Sequence, residues 1–420
     1  MKALRTIILA AGKGARMKSE LPKVLHTVCG KTLLQYIIDI AKSIGSGKIF
    51  IVLGYKRDVV QMTLPKDATA VLQKRLLGTA DAVRCTQKFF RGFRGDVLIL
   101  CADTPLLRKT TVKSLIRKHK KTKAACTVLT MVVHNPDGYG RIIRDESGRV
   151  VAIREDKDAV GLERNIAEVN TGAYCFRSQD LFSFLKGISL NAKKKEFYLT
   201  DIIALLKEKD LRVETIETED SKEALGINTR EDLAVAGAVL RQRVLKELMD
   251  QGVSIVDPQT TYIDASAKIG KDTTIRPFTV IENNVTIGRE CMIGPFARLR
   301  AGTRIGDAVE VGNFTEVSRT RIGHRTLMKH FSFLGDALVG KKVNIGAGTV
   351  TANFDGKDKN TTRIDDNAFI GSDSVLIAPV RIGRGAVVGA GSVVTRNKHI
   401  PAGKVAMGVP AKVIVGRRKG

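Results

Sequence analysis

The spacing of hydrophobic residues changes about half-way along the chain. Up to about residue 228, short β-branched runs (6–11, 48–54, 69–73, 96–103 and 125–133) alternate with helical stretches such as 33–45 and 110–121. Strands that alternate with helices are typical of a parallel-rich sheet covered on both faces. In such sheets ligands bind at the carboxyl ends of the strands. We therefore predict a Rossmann-like α/β domain over residues 1–228.

A single helix is predicted between the two halves. Residues 229–232, Thr-Arg-Glu-Asp, have the pattern of a capping box. The apolar residues that follow at helical spacing are Leu233, Ala236, Leu240, Val244 and Leu248. We assign residues 229–252 to a connecting helix and 253–420 to a second domain.

The second half has a six-residue hydrophobic period. Before slips at 322 and 339, the periodic residues are Ile263, Ile269, Ile275, Ile281, Ile287, Ile293, Leu299, Ile305, Val311 and Val317. After an insertion near 351–363 they are Ile364, Ile370, Leu376, Ile382, Val388, Val394 and Ile400. One aliphatic residue per hexad, followed often by glycine, predicts a parallel β-helix with three hexads to a coil. Residues 263–400 would form between seven and eight such coils.

Composition indicates a globular protein. Hydrophobic residues make up 43% of the 420 residues and charged residues 27%, and no apolar run approaches the 18 residues of a membrane span. The opening residues lead directly into the first predicted strand, so we expect neither a signal peptide nor membrane insertion. The six cysteines are scattered without metal-binding spacing, and we expect free thiols in a reducing cytoplasm.

The chain is strongly basic. Its net charge is +27, from 70 Lys and Arg against 43 Asp and Glu. Nucleic acid, an anionic membrane surface and small anionic ligands are the partners that such a balance suggests. Aromatic residues are only 5% and Trp is absent, so stacking platforms for single strands are poorly supplied. We attribute most of the charge to solvated lysine-rich faces such as 117–123 and do not expect nucleic-acid binding.

A glycine-rich loop follows the first strand, in the sequence LAAGKGARMKSELPK at 9–23. Glycine turns of this kind let backbone N–H groups approach phosphate oxygens. Met17 stands where a dinucleotide-binding fingerprint has its third glycine, and no Walker Gly-Lys-Ser/Thr follows. Arg16 and Lys23 add two cations, which predicts a triphosphate ligand with Arg16 as a phosphate-binding candidate.

This loop resembles the signature of the sugar-1-phosphate nucleotidyltransferases. Within that family, the domain order most resembles the bifunctional N-acetylglucosamine-1-phosphate uridyltransferase / glucosamine-1-phosphate acetyltransferases. Ala15 is a departure, since the family usually has Thr there. The other matching motifs are LQKRLLGTADA (72–82), LCADTPLL (100–107), GYGRI (138–142), REDKDA (154–159), EVNTG (168–172), EFYLTDII (196–203) and GINTR (226–230).

The resemblance implies an enzyme that makes UDP-N-acetylglucosamine for cell-wall and lipopolysaccharide synthesis. The C-terminal half would transfer acetyl from acetyl-CoA to glucosamine-1-phosphate. The N-terminal half would then transfer uridylyl from UTP to N-acetylglucosamine-1-phosphate, with Mg²⁺, and release pyrophosphate. The family's β-helix is left-handed, and its members are homotrimers.

The resemblance also implies roles for individual residues of the N-terminal half. The nucleotide would meet the backbone of Leu9, Ala10, Ala11 and Gly12, the side chain of Lys23 would bind phosphate, and uracil would be bound by Gln73, Gly78 and Thr79. Asp103 and Asn228 would hold Mg²⁺. The sugar would be bound by Gly140, Glu155 and Asn170.

In the C-terminal half the resemblance places the catalytic base at His330 and acceptor-binding residues at Arg300 and Asn344. The acetyl-CoA residues would be Ala347, Asn353, Ser372 and Ala390. Three positions depart from the family, since Ser318 replaces a phosphate-binding Lys, and Phe333 and Phe354 replace Tyr; the tail also lacks an arginine. Arg319, Arg321 and Lys329 are the candidates to replace the lost cation.

Two other classes of function remain open from the sequence. One is a nucleotidyltransferase whose β-helix is structural or regulatory, or acts on a different acyl acceptor. The other is a nucleic-acid-binding structural protein. His330 together with the segments NIGAGT (344–349) and NFDG (353–356) favours the acetyltransferase.

Overall fold

The computed structural model describes residues 4–193 and 195–414, and the tail departure noted above lies partly outside them. The chain forms two compact units that divide between Gly237 and Ala238. The helix over residues 230–250 contributes residues to both units. The three-way division at 228 and 252 stays a prediction. No helix among the described residues is long and apolar enough to cross a bilayer.

The first unit is built on one sheet with helices around it. Its strands are β1 (Leu4–Ala10), β2 (Thr27–Val28), β3 (Lys31–Thr32), β4 (Lys48–Leu53), β5 (Ala68–Leu72), β6 (Asp96–Cys101), β7 (Cys126–Val132), β8 (Arg141–Arg144), β9 (Val150–Arg154), β10 (Glu168–Arg177) and β11 (Val213–Glu217). The helices are α1 (Leu33–Ser43), α2 (Arg57–Gln61), α3 (Thr79–Arg84), α4 (Lys109–Thr122), α5 (Ser178–Phe184), α6 (Ile202–Glu208) and α7 (Arg230–Asp250). The strands and helices that the hydrophobic pattern predicts are all present.

The main sheet is mixed, in the order β11-β7-β10-β6-β1-β4-β5, and β2 and β3 form a separate two-stranded antiparallel sheet. The pairs β1–β4, β1–β6, β4–β5 and β7–β11 are parallel. β10 runs antiparallel between β6 and β7, and the β8–β9 hairpin joins it. The sequence pattern predicted the parallel pairs but not this reversed strand.

Successive residues of the central strands are buried on opposite faces of the sheet. Ile7 packs with Phe50 and Val97 in one hydrophobic cluster, whereas Ile8 packs with Ile51 in another. Both faces are therefore covered, as expected for parallel strands that read as continuous apolar runs. A few polar side chains are also buried within the strands, among them Thr6 of β1 and Thr127 of β7.

The connecting helix α7 begins with the predicted capping box. Thr229 Oγ1 accepts a hydrogen bond from the Asp232 amide at 3.1 Å, and Asp232 Oδ2 accepts from the Thr229 amide at 2.8 Å. The same carboxylate also accepts from the Asn228 amide at 2.8 Å. The cap therefore fixes the backbone of Asn228.

The second unit is a parallel β-helix with three flat sheets. The first sheet contains β12 (Ser254–Ile255), β15 (Thr274–Ile275), β18 (Met292–Ile293), β21 (Glu310–Val311), β24 (Leu327–Met328), β27 (Asn344–Ile345), β30 (Phe369–Ile370), β33 (Val387–Val388), β36 (Val405–Met407) and β37 (Lys412–Val413). The second contains β13 (Tyr262–Ile263), β16 (Val280–Ile281), β19 (Arg298–Leu299), β22 (Thr315–Ser318), β25 (Ser332–Gly335), β28 (Val350–Ala352), β31 (Val375–Ile377) and β34 (Val393–Val394). The third contains β14 (Lys268–Ile269), β17 (Thr286–Ile287), β20 (Arg304–Ile305), β23 (Arg321–Ile322), β26 (Ala337–Val339), β29 (Thr362–Ile364), β32 (Val380–Ile382) and β35 (His399–Ile400).

The periodic aliphatic residues form the core of this β-helix. In most strands the first residue faces outward and the second is buried, and the predicted aliphatic ladder forms one hydrophobic cluster. The second and third sheets have eight strands each, so the described chain makes eight coils. The insertion near 351–363 leaves the sheets as a loop after β28, and β28 still pairs in parallel with β31.

Candidate functional sites

The carboxyl ends of neighbouring strands bring the predicted nucleotide residues together. The Leu9 carbonyl at the end of β1 accepts from the Ala102 amide after β6 at 3.0 Å, and the Ala11 carbonyl accepts from the Tyr55 amide at 3.1 Å. Gln73 follows β5 and donates its backbone N–H to the Leu53 carbonyl at 2.9 Å. The loops after β1, β4, β5 and β6 therefore meet along one edge of the sheet, where α/β sheets bind ligands.

Two side-chain oxygens converge on one ammonium group at this edge. Lys23 Nζ lies 2.5 Å from Asp103 Oδ2 and 3.2 Å from Asn228 Oδ1. Asp103 is anchored because its carbonyl accepts from the Ile227 amide at 2.8 Å. The Lys23 side chain is 12% exposed and that of Asp103 26%. The structure thus brings together three residues that lie far apart in the sequence.

These oxygens suit a hard divalent cation. One carboxylate and one amide oxygen face a common position that a cationic group already occupies. Mg²⁺ is held by one or two protein oxygens together with substrate phosphates. Over residues 4–193 and 195–414 no group of three or more His, Cys, Asp or Glu side chains is placed to hold a metal ion.

The glycine-rich loop is shaped around Lys23. Gly14 has φ +64°, and a Cβ there would lie 2.5 Å from Lys23 Cβ. A Cβ on Gly12 would meet nothing within 4 Å, so space is open beside this residue. Arg16 is exposed in the 3₁₀-helix Ala15–Met17, and its phosphate role stays a prediction.

Arg230 is a residue of this loop region that the sequence did not single out. Its Nε donates to the Met17 carbonyl at 3.3 Å, and its guanidinium lies 3.4 Å from His26 Nδ1. Burial, and then the charge of Arg230, lower the pKa of His26. Arg230 is the last residue of the GINTR motif, two positions after Asn228, so this motif could have identified it as a site residue.

The predicted uracil residues lie around the turn that begins α3. Gln73 is buried, and its Nε2 donates to the Gly78 carbonyl at 3.1 Å and to Asp81 Oδ2 at 2.9 Å. Thr79 Oγ1 accepts from the Leu199 amide at 2.9 Å. Gly78 has φ +97°, and a Cβ there would lie 2.6 Å from the Phe197 carbonyl oxygen. Only glycine fits this turn.

The predicted sugar residues lie at the ends of β8, β9 and β10. The Gly140 carbonyl accepts from the Asn170 amide at 2.7 Å, and Asn170 Nδ2 donates to Tyr174 Oη at 2.6 Å. Glu155 Oε1 accepts from Thr200 Oγ1 at 2.7 Å. Burial raises the pKa of Glu155, opposed by the Thr200 hydrogen bond. Thr200 and Tyr174 were not assigned roles from the sequence.

The acceptor-binding candidate Arg300 and the acetyl-CoA candidate Asn353 lie near the turns from the second to the third sheet, which we call the second–third edge. Arg300 Nη1 bonds to Glu316 Oε1 on the next coil at 3.1 Å. Asn353 Nδ2 donates to Asp336 Oδ2 at 2.5 Å. Ser318, where the family has Lys, is buried and its hydroxyl has no hydrogen-bond partner among the described residues.

Two of the three candidates to replace the missing cation are bound to carboxylates, and the third lies on another sheet. Arg319 bonds to both oxygens of Asp336, at 2.6 and 2.8 Å, and Lys329 Nζ lies 3.1 Å from Glu310 Oε2. Arg321 faces outward on the third sheet. Lys359, which the sequence did not single out, lies in the inserted loop, and its charge helps to lower the pKa of Asp336 after the larger effect of Arg319.

His330 lies on a different edge of the β-helix. The turns from the first to the second sheet form this first–second edge, and on successive coils it carries His330, Ala347, Ser372 and Ala390. The Ala347 carbonyl accepts from the Asp373 amide at 2.6 Å and the Ser372 carbonyl from the Gly391 amide at 2.7 Å, which ties the coils together. Asn344 is the outward residue of β27 beside this edge. Within one chain, His330 and Arg300 therefore lie on opposite edges of the second sheet.

Below His330 the same edge carries an aromatic stripe. Phe278, Phe296 and Phe314 stack with ring centroids 4.8 and 5.0 Å apart, and Phe331 continues the row. All four rings are about half exposed, between 45% and 62%. The first three residues have φ between +52° and +57°, a conformation that costs a bulky residue roughly 1–2 kcal/mol. An exposed apolar stripe of this kind marks an interaction surface.

Comparison with known families gives the same two-part organisation. Residues 6–161 match the MobA-like NTP transferase domain. Residues 266–301 and 284–319 match the bacterial transferase hexapeptide (six repeats), and residues 361–396 match the hexapeptide repeat of succinyl-transferase. The predicted fold class, a nucleotidyltransferase domain followed by a left-handed β-helix of hexapeptide repeats, is confirmed.

Full-length relatives share this organisation. Proteins named bifunctional protein GlmU from Pelobacter propionicus, Halalkalibacterium halodurans and Pseudothermotoga lettingae are 41%, 40% and 42% identical to this chain. The alignments cover 97%, 93% and 96% of this chain and 96%, 93% and 95% of those relatives. The similarity therefore extends over both units.

Proposed function

The chain belongs to the GlmU family of bifunctional enzymes, which are uridylyltransferases and acetyltransferases on one polypeptide, and from that premise we propose which of its residues serve each reaction. The substrates of the family are a sugar phosphate, a nucleotide and acetyl-CoA. The convergence of Lys23, Asp103 and Asn228 at the carboxyl edge of the sheet carries the assignment of the first site.

In uridylyl transfer a phosphate oxygen of N-acetylglucosamine-1-phosphate forms a bond to the α-phosphorus of UTP, and the bond to the leaving pyrophosphate breaks. The reaction needs no protein nucleophile, so the protein positions the substrates and stabilises charge. Lys23 is placed to bind phosphate, with the open backbone at Gly12 beside it. Arg16 supplies a second, exposed cation.

Asp103 and Asn228 are the residues that would hold Mg²⁺. When bound, the ion supplies Lewis-acid stabilisation of the phosphoryl oxygens. With Asp103 in that role, Lys23 would be free of its present ion pair with Asp103, and its ammonium would be available to phosphate. Asp103 and Lys23 are therefore proposed to act as a coupled pair.

Substrate recognition is proposed to follow the two hydrogen-bonded groups beside this pair. Gln73, Gly78 and Thr79 form the uracil side, where the buried Gln73 amide is oriented by Asp81. Glu155 forms the sugar side with Gly140 and Asn170. An ionised Glu155 carboxylate accepts hydrogen bonds from sugar hydroxyl groups, so its raised pKa couples sugar binding to pH.

For acetyl transfer we propose that His330 acts as the general base. The amine of the acceptor attacks the thioester carbonyl of acetyl-CoA, a C–N bond forms, and the thiol of coenzyme A leaves. His330 takes the proton of the attacking amine, which is the usual task of a neutral imidazole. Asn344 and Arg300 would bind the acceptor, and Ala347, Asn353, Ser372 and Ala390 acetyl-CoA.

The separation of His330 from Arg300 supports a trimer with shared sites. Because one chain presents these two residues on different edges, a second copy is needed to bring a base edge against an acceptor edge. The half-exposed stripe at Phe278, Phe296 and Phe314 provides an apolar surface for that contact. We propose a homotrimer built on the first–second edge.

The cellular setting is proposed from the chemistry. The product, UDP-N-acetylglucosamine, is a precursor for peptidoglycan and lipopolysaccharide, which are assembled from cytoplasmic nucleotide sugars. The structure has all six cysteines as thiols, which supports a reducing compartment. We therefore propose a cytoplasmic location.

A two-part assay tests the proposal. Pyrophosphate release from UTP plus N-acetylglucosamine-1-phosphate with Mg²⁺ reports the first reaction, and thiol release from acetyl-CoA plus glucosamine-1-phosphate the second. The identity of the acetyl acceptor is the main point to test, because Ser318, Phe333 and Phe354 depart from the family. The assay therefore compares glucosamine and other amino-sugar phosphates with glucosamine-1-phosphate. Pyrophosphate release without thiol release on any of these acceptors would favour a structural β-helix.

A further inference from the structure

The third sheet of the β-helix presents a row of cations to solvent. Its strands align one residue from each coil on the outer face, and every one of these residues is exposed. In coil order they are Lys268, Thr286, Arg304, Arg321, Leu338, Arg363, Arg381 and His399. We call this surface the third face. No outward residue on its strands is acidic.

Much of this charge is not neutralised by the protein. Asp365 accepts from Arg363 at 3.0 Å and from Arg381 at 2.9 and 3.0 Å. Arg304 and Arg321 face each other in adjacent strands, and neither side chain has a hydrogen bond or ion pair within residues 4–193 and 195–414. Like charges on directly opposed residues destabilise a sheet, so the arrangement lowers the stability of the unit unless an anion covers it.

The turns beside the third face extend the positive surface. Between the third and the first sheet a shallow cleft of about 380 Å³ is lined by Arg289, Arg325, Lys341 and Lys342. Asp307 and Glu290 also line it, and Asp307 is engaged by the Arg289 backbone amide at 2.9 Å. The cations therefore spread over an area rather than along a single line.

The shape of the third face selects among anionic partners. Side chains stand roughly perpendicular to a sheet, so the charged tips of a flat sheet reach a common plane. A bilayer presents a plane of charge, whereas a duplex is curved and a single strand is held by aromatic stacking. None of the outward residues on this sheet is aromatic. Leu338, 41% exposed, lies between Arg321 and Arg363 in adjacent strands and gives the face one apolar side chain at its centre.

The other two faces are less suited to this role. Outward residues of the first sheet include the exposed Met292, Leu327 and Phe369, and the second sheet presents Tyr262 and Val280. These apolar side chains fit contact between protein copies. The third face carries the positive charge and is exposed in the single chain. It would also remain exposed in a trimer built on the first–second edge.

We propose that the third face docks the enzyme reversibly on the surface of an anionic lipid bilayer. The contact is electrostatic and peripheral. Each Lys or Arg near an anionic leaflet contributes about 1 kcal/mol, so loss of Arg304 and Arg321 corresponds to a roughly 30-fold fall in partitioning. Salt screens the attraction, because the Debye length shrinks from about 10 Å at 0.1 M to about 3 Å at 1 M ionic strength.

The test is sedimentation of the full-length protein with vesicles. Binding is expected to phosphatidylglycerol/phosphatidylcholine vesicles at low salt, but neither to pure phosphatidylcholine nor at 1 M salt. The double variant Arg304→Ala/Arg321→Ala should partition roughly 30-fold more weakly. Its melting temperature should be equal to or above wild type, because a repulsive pair is removed, and uridylyl transfer should be unchanged.

A charge-matched control separates this surface from net charge. The double variant Arg117→Ala/Lys121→Ala removes two exposed cations from α4 and should bind vesicles like the wild type. An equal loss in both double variants would show a non-specific effect of net charge and overturn the proposal. So would the absence of vesicle binding, or tighter binding of random duplex DNA that is lost in Arg304→Ala/Arg321→Ala.

Discussion

Replacement of Asp103 by Asn tests the proposed metal site with the least disturbance of shape. The variant keeps an oxygen that can accept from Lys23 but removes one unit of negative charge. In the resting site this turns a charge-assisted bond, worth about 1.5–3 kcal/mol, into a neutral bond worth about 1 kcal/mol. We therefore expect a fall of about 1 kcal/mol in stability, which lowers Tm by roughly 2–4 °C.

The effect on turnover should be larger. Removal of one preorganised electrostatic group typically costs 10²–10³ in kcat, or about 2.7–4 kcal/mol. We expect pyrophosphate release to fall at least a hundredfold at saturating Mg²⁺. The change in UTP binding should be smaller, because the nucleotide contacts proposed for Gln73 and the loop backbone are left in place. The assay follows pyrophosphate against UTP and Mg²⁺ concentration.

Two controls identify the cause. Asp58→Asn makes the same charge change at a side chain that is 85% exposed and paired with Arg57, and turnover should stay within twofold of wild type. Acetyl transfer by the Asp103→Asn protein should also be unchanged. Turnover of Asp103→Asn within tenfold of wild type at saturating Mg²⁺ would refute the metal assignment.

Three further predictions concern the base, the trimer and pH. His330→Ala should lower acetyl transfer by about 10²–10⁴-fold and leave uridylyl transfer within twofold. The control His324→Ala, six residues earlier on another edge, should change neither rate. An unaltered acetyl-transfer rate in His330→Ala would make His330 structural. Light scattering should give about three times 45.7 kDa, and Phe296→Ser/Phe314→Ser should dissociate the assembly; a monomer that still transfers acetyl groups would rule out shared sites. Because burial raises the pKa of Glu155 above its usual 4.5, this carboxylate ionises only at higher pH, and KM for the sugar phosphate should fall as pH rises through the raised pKa. The variant Glu155→Gln should remove this pH dependence of KM. A pH dependence that persists in the variant would have to come from another group.

The parts of the fold that repeat along the chain could be predicted from the sequence. The aliphatic hexads predicted the β-helix because each inward residue of a coil is set by its nearest neighbours along the chain. The antiparallel strand β10 was missed because its pairing with β6 and β7 is a long-range choice. Likewise Lys23 and Asn228 are 205 positions apart, so their contact follows only from the sheet and the cap of α7.

The edges of the β-helix were the other hidden feature. Family resemblance placed His330 and Arg300 in one active site, but residue spacing alone does not tell which corner of a coil each occupies. The structure assigns them to different edges. Likewise, the sequence showed that Ser318 lacks a charge, but only the contacts of Arg319 and Lys329 show that neither cation is free to replace it.

The three-hexad coil also restricts how such a chain can change length. Val280 lies beside Arg298, one full coil of 18 residues later. Insertion or removal of a whole coil would lengthen or shorten the prism and leave every later side chain on its own face. Removal of one hexad would instead move each later hexad to the neighbouring face. His330 and any third-face arginine after the deletion would then leave their present edge and face. Gain and loss of length in this unit should therefore occur in steps of one coil, or in loops at the corners like the one after β28.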